Sequence, residues 1–206
     1  MTFPNQDYSN IRAFTDDYFD KLASAAASVD RDWLEAACEL LSQAFSRRAT
    51  VFVCGNGGSA AISNHLRCDY LKGIQTDTEL RPKVISLSSN IETITAIGND
   101  MNFSEIFVYQ LRTQAEKGDV LITVSSSGDS ENIVQACRWA SENSVSTIAM
   151  TGFSGGRTSA VANINLHVEG DNYGIIEDVH QSLMHILAQY VRQTHMTPVM
   201  ISERVF

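Results

Sequence analysis

Five short runs of apolar and β-branched residues, at 50–54, 84–87, 120–124, 147–151 and 164–168, constrain the fold of this chain most strongly. Each has the length of a strand, and most present no polar face to water. Such strands belong in a parallel sheet covered by helices on both sides. The segments between them have helical spacing. Residues 11–27 carry Ile11, Phe14, Tyr18, Phe19, Leu22 and Ala25 on one face, and 33–45 carry Trp33, Leu34, Ala37, Leu40, Leu41 and Phe45. Further helices are expected at about 60–71, 91–97, 103–116 and 131–142, with a long closing helix at about 174–194. Residues 73–82 read as a polar loop and Gly98-Asn99-Asp100 as a turn. The tail, with Pro198, Met200 and Ile201, has no clear period and takes no assignment. This order predicts an α/β fold with a five-stranded parallel sheet flanked by helices, two N-terminal helices (about 10–46), an α/β core (about 50–195) and a short C-terminal tail, in one domain over 1–206. Two leading helices and a long closing one exceed what the sheet needs. Their surplus apolar surface is expected to pack on a partner subunit.

Two strand ends carry unusual loops. The first run stops in Cys54-Gly55-Asn56-Gly57-Gly58-Ser59 and a helix follows. Glycines let a backbone come close to a ligand and adopt positive φ, and a helix start offers free N–H groups, so this turn suits a phosphate or another small anion. It is neither a nucleotide P-loop, since no Lys follows, nor a G-x-G-x-x-G turn, and alone it could be a simple strand-to-helix connection. The third run stops in Ser125-Ser126-Ser127-Gly128-Asp129-Ser130, again before a helix. Ser127, Asp129 or Ser130 could cap that helix, but capping needs one such side chain and the loop supplies four hydroxyls. Two such loops at strand C-termini point to an anion site in the crevice of the sheet.

With a formal charge of −9 the chain is a poor partner for nucleic acid or an anionic membrane, so any anionic substrate must be gripped by local dipoles and hydroxyls. Its 206 residues, 44% of them hydrophobic, suffice for one well-buried core. Cys38, Cys54, Cys68 and Cys137 show no C-x-x-C pairing and read as buried free thiols of a reducing compartment. Nothing at the amino end resembles a signal peptide and no apolar stretch has membrane-spanning length, so a cytoplasmic location is expected.

His65 and Asp69, four apart, share one face of the helix behind the glycine loop, and Glu177 and His185 lie eight apart on the closing helix. Two imidazoles and two carboxylates suit Zn²⁺, with Ni²⁺, Co²⁺ or Mn²⁺ as competitors. Eight residues are two turns, about 12 Å of rise, which is long for two ligands of one ion. Either the helix bends or the ligands are assembled between subunits.

Cys54-Gly-Asn-Gly-Gly-Ser59, His65-x-x-x-Asp69, Ile97-Gly98-Asn99-Asp100, Ser125-Ser-Ser-Gly-Asp-Ser130 and Val179-His180-x-x-x-x-His185-Ile186-Leu187 occur in the order found in phosphoheptose isomerases, which the chain resembles over about residues 10–195. Those are sugar-isomerase (SIS) domain enzymes that convert sedoheptulose 7-phosphate to D-glycero-D-manno-heptose 7-phosphate. The resemblance implies an SIS-type fold, a phosphorylated sugar substrate and a homotetramer with active sites between subunits. It implies that Asn56, Gly57, Gly58 and Ser59 line the substrate site, that Ser125, Ser126, Ser127 and Ser130 hold the phosphate, and that Asn99 and Asp100 contact the sugar. His65, Asp69, Glu177 and His185 match zinc positions, Asp69 and His185 also match the acid–base pair, and Asp69 and Glu177 border the substrate.

Three departures stand out. Asp69 replaces the family's Glu, Glu177 replaces its Gln, and Lys72-Gly73 stands where relatives have Gly-Arg. The first shortens a catalytic side chain by about 1.5 Å, and displacements of about 1 Å can cost ~10²-fold in rate. The second adds a negative charge beside the ion. Two other readings stay open on sequence: a non-catalytic SIS protein, either an adaptor of the kind that associates with the initiator DnaA or a sugar-phosphate sensor, and an isomerase of another ketose phosphate.

Overall fold

The computed structural model describes residues 3–206. Its centre is an all-parallel sheet of β1 (Thr50–Gly55), β2 (Lys83–Ser86), β3 (Val120–Val124), β4 (Ser146–Thr151) and β5 (Ile164–His167), in the order β2-β1-β3-β4-β5. The register pairs Cys54 with Thr123 and Gly55 with Val124, so the ends of β1 and β3 are adjacent. Alternate residues of β1, β2 and β3 feed different cores. Val51, Val53, Ile122, Ile148 and Leu166 face one cluster, and Phe52, Cys54 and Leu121 the other. This accounts for strands without a wet face.

The first cluster is closed by α1 (Ile11–Ser28), α2 (Arg31–Ser46), α3 (Gly58–Cys68) and α8 (Tyr173–Thr194). Both leading helices pack on α8, which uses much of the apolar surface assigned to a partner. Ile11, Phe19, Trp33, Ile186 and Tyr190 remain exposed. The second cluster is closed by α4 (Ile91–Asp100), α5 (Val108–Gln114) and α6 (Glu131–Glu142). Among the described residues no helix is long and apolar enough to cross a membrane.

Several boundaries differ from the sequence reading. The helix after the glycine loop changes to a π-helical turn at Asp69–Gly73, in which Ile74 N–H donates to Asp69 C=O, five residues back. Gly98-Asn99-Asp100 continues α4 instead of ending it, with Asn90 supplying the N-cap oxygen to Thr93 N–H. The segment 103–116 is broken into a 3₁₀ turn (Phe103–Glu105) and the short α5. Two short helices had no periodic signal: α7 (Gly156–Val161) and, in the tail, α9 (Pro198–Glu203), started by Thr197 and a proline in its first turn. Cys38, Cys54 and Cys137 are buried as expected, but Cys68, at the solvent side of the end of α3, is exposed.

His180 fixes α8 to the sheet. It is fully buried, its Nε2–H donates to the Thr151 carbonyl at the end of β4 (3.1 Å), and its Nδ1 has no partner. Burial holds its pKa at about 4, with the nearby His167 acting in the same direction and the Thr151 bond opposing. A depressed imidazole pKa means the unfolded chain binds the proton first. The associated stability is complete above about pH 6.5 and is lost as pH falls toward the folded-state value. Between pH 7 and 5 this residue is expected to cost about 2 kcal/mol. Denaturation at both pH values should show the gap between wild type and His180→Gln narrowing by that amount at pH 5.

Candidate active site

The sheet order reverses between β1 and β3: the chain leaves β1 for β2 on one side and reaches β3 on the other. A crevice opens at such a point beyond the strand C-termini, and both unusual loops lie there. In the first, Gly57 has φ 54° and ψ −123°, a conformation other residues avoid. A side chain at Gly55 would meet the backbone of Ser59 at 2.5 Å, so the loop turns directly over the strand end. Ser88, beyond β2, ties this end in place: its hydroxyl donates to Gly55 C=O (2.8 Å) and accepts from Gly55 N–H (3.1 Å).

The serine loop is held from within and beneath. Gly128 N–H donates to Ser125 C=O (3.0 Å) and Oγ (3.2 Å), and Asp129 N–H donates to Ser127 Oγ (3.3 Å). Ser126 Oγ is buried without a partner, and Ser130, at the N-cap of α6, makes no side-chain capping bond. Two hydroxyls thus remain uncommitted at a helix N-terminus, the arrangement an oxyanion needs. Asp129 does not cap. It pairs with Arg157 of α7 (2.6 Å), whose hydrogen bonds hold its carboxyl below the usual carboxylate range.

The two loops are joined by an amide pair that the sequence reading overlooked. Asn56 and Asn132 each donate Nδ2–H to the other's Oδ1, both at 2.9 Å, and Asn132 is buried. The only sequence signal was an Asn two residues after Ser130. Asn132→Ala should leave the Asn56 amide unpartnered at a cost of about 1–3 kcal/mol and raise KM severalfold, which denaturation and steady-state kinetics can check.

Beyond the glycine loop, α3 and the π-helical turn bring His65 and Asp69 against α8. His65 Nε2 lies 3.4 Å from Asp69 Oδ1, and His185 Nε2 lies 3.4 Å from Asp69 Oδ2. The two rings are edge-to-face with centroids 5.0 Å apart. One ligand atom from each of the three residues falls within 4.8 Å of the others, a span and donor set that fit one divalent transition metal. They meet within one chain, so assembly between subunits is not required for them.

Glu177 lies apart from these three within the single chain: α8 is continuous from Tyr173 to Thr194, so two turns separate Glu177 from His185. Its carboxylate packs instead against Gly58, where any side chain would collide with it. Burial, with Asp178 beside it, pushes its carboxyl above the ordinary range. The fourth side chain at the imidazoles is Gln181, one turn before His185, with Nε2 2.8 Å from His65 Nδ1 and 3.4 Å from His185 Nε2. Its i,i+4 spacing to His185 was visible in the sequence. Asn99 and Asp100 lie exposed at the end of α4, where Asn99 Nδ2–H donates to Asp100 Oδ1 (2.9 Å). Ser59 is buried at the start of α3, and its carbonyl accepts from Ser63 Oγ (2.8 Å).

The SIS domain family matches residues 16–152. A phosphoheptose isomerase of Clostridium acetobutylicum is 33% identical over 160 residues, covering 78% of this chain and 81% of that protein. The chain belongs to the phosphoheptose isomerase family. Solved structures agree. A phosphoheptose isomerase from Neisseria gonorrhoeae is similar with TM-score 0.81 and 28% identity, over 89% of this chain and all of that one. One from Francisella tularensis gives TM-score 0.81 and 30% identity, over 89% and 96%.

Proposed function

We propose that this phosphosugar isomerase converts sedoheptulose 7-phosphate to D-glycero-D-manno-heptose 7-phosphate through an enediol. The carrying observation is the convergence of His65, Asp69 and His185 in a chain whose β1 and β3 loops share one crevice. Ser125, Ser126, Ser127 and Ser130 bind the phosphate, and the uncommitted Ser126 and Ser130 hydroxyls support this role. Asn56, Gly57, Gly58 and Ser59 line the sugar, with Glu177 over Gly58 and Asn99 and Asp100 at the rim. Phosphate binding supplies energy remote from the reacting carbons.

Asp69 takes a proton from carbon 1 of the ketose, the carbon 2 carbonyl becomes the second enediol hydroxyl, and a proton returned to carbon 2 yields the aldose. His185 moves the proton between the oxygens. His65, Asp69 and His185 would hold Zn²⁺, which when bound polarises the carbonyl. The exposed Ile11, Phe19, Trp33, Ile186 and Tyr190 support a homotetramer, and the formal charge supports a cytoplasmic enzyme without nucleic-acid or membrane partners.

The test is a panel of five-, six- and seven-carbon ketose phosphates incubated with zinc-supplemented protein and followed by NMR. Aldose should form from the seven-carbon substrate. Preference for a shorter sugar would replace the substrate, and no turnover of any would favour a binding protein.

A further inference from the structure

We propose that Arg157 is a positioning residue of the phosphate cradle, which fixes the loop on both sides of Ser130 and offsets the two carboxylates that flank the bound phosphate. The proposal rests on the reading of the serine loop as the phosphate site. α7 begins against that loop: a side chain at Gly156 would collide with the Ser127 carbonyl and with Gly128. Arg157 is the next residue, and its guanidinium spans the turn. Nε–H donates to Asp129 Oδ1 (2.6 Å), an Nη2–H to the Asp129 carbonyl (2.9 Å) and an Nη1–H to Glu131 Oε2 (2.8 Å). The Arg157 backbone N–H adds a bond to Asp129 Oδ1 (3.3 Å). One residue thus holds the neighbours immediately before and after Ser130, whose hydroxyl makes no capping bond.

Charge gives this clamp a second consequence. Acidic side chains at a helix N-terminus ordinarily gain from its dipole and its free N–H groups. At α6 those same groups serve the phosphate, so Asp129 and Glu131 compete with the ligand for one field. Both are ionised at neutral pH, since hydrogen bonds from Arg157 hold their carboxyls below the usual range. Arg157 cancels one of these two charges at contact distance.

The three side chains are between 42% and 54% exposed, so their pairing adds little to stability. Removing it should leave the fold intact and show in binding.

The test measures Kd for inorganic phosphate at pH 8, in about 50 and 500 mM NaCl, with the full-length protein and variants checked for folding by circular dichroism. Arg157→Met should raise Kd about tenfold at the lower salt, and the loss should shrink to about threefold or less at the higher, where exposed charges are screened. Arg157→Lys keeps the charge but cannot span both carboxylates, and should fall between. Combining Arg157→Met with Asp129→Asn and Glu131→Gln should return Kd to within about threefold of wild type, a rescue that a merely structural arginine would not allow. A Kd for Arg157→Met within about twofold of wild type, or a triple variant that binds no tighter than Arg157→Met, would overturn the proposal. Folded wild type that binds no phosphate would remove the cradle itself and the role of Arg157 with it. If wild type binds phosphate but does not turn over sedoheptulose 7-phosphate, only the substrate assignment fails, and the variants still decide the role of Arg157.

Discussion

Asp69→Asn is expected to lower kcat for sedoheptulose 7-phosphate by about 10³-fold, within the range a positioned general base supplies. The carboxylate is the only acidic group in contact with both imidazoles, 3.4 Å from each, among the described residues. Asn matches its shape and removes its basicity. Stability should change little, because the side chain is about a third exposed and solvent-screened pairs contribute about 1 kcal/mol or less. The phosphate grip lies in another loop, so Kd for the substrate should stay within a few-fold. Rapid-quench kinetics and titration calorimetry separate these quantities. Undiminished turnover would remove Asp69 from the mechanism.

Gly128→Ala should be the most damaging single-methyl change, costing about 2–5 kcal/mol and weakening substrate binding at least tenfold. Gly128 has φ 63°, and a Cβ there would run into the Gly155 carbonyl and come within 2.9 Å of Thr158 Oγ1. The left-handed conformation costs a non-glycine residue about 1–2 kcal/mol, and overpacking adds about 1–3. The loop cannot shift to relieve this, because Thr158 N–H (3.0 Å) and Oγ1–H (2.9 Å) both donate to the Gly128 carbonyl. Gly118→Ala is the control: φ is 92° but nothing lies within 4 Å, so only the backbone cost of about 1 kcal/mol remains. Similar losses for the two variants would show that the packing of the serine loop on α7 is not what holds it.

The sheet was legible because fully apolar runs of strand length have few alternatives, and both loops were legible because glycine and serine at strand ends mark turns that must bind or cap. What the sequence obscured was local and geometric. The π-helical turn at Asp69 leaves no periodic signature, since it inserts a single residue into an otherwise helical pattern. Glu177 and His185 looked equivalent because both share a helix, yet they meet opposite ends of α3, Glu177 at Gly58 and His185 beside His65 and Asp69, which only the packing of α8 on α3 decides. Gln181 and Asn132 are amides, without the charge or ring that marks candidates in a sequence, and their roles rest on partners 116 and 76 residues away.

Enolisation is the central claim, and solvent deuterium reports it directly. Wild-type, zinc-supplemented protein incubated with sedoheptulose 7-phosphate in D₂O should place deuterium on carbon 2 of the aldose product and on carbon 1 of recovered ketose. Asp69→Asn should place none over the same interval. Unlabelled ketose and no aldose after prolonged incubation with folded wild-type protein would contradict the assignment of this crevice as an isomerase site.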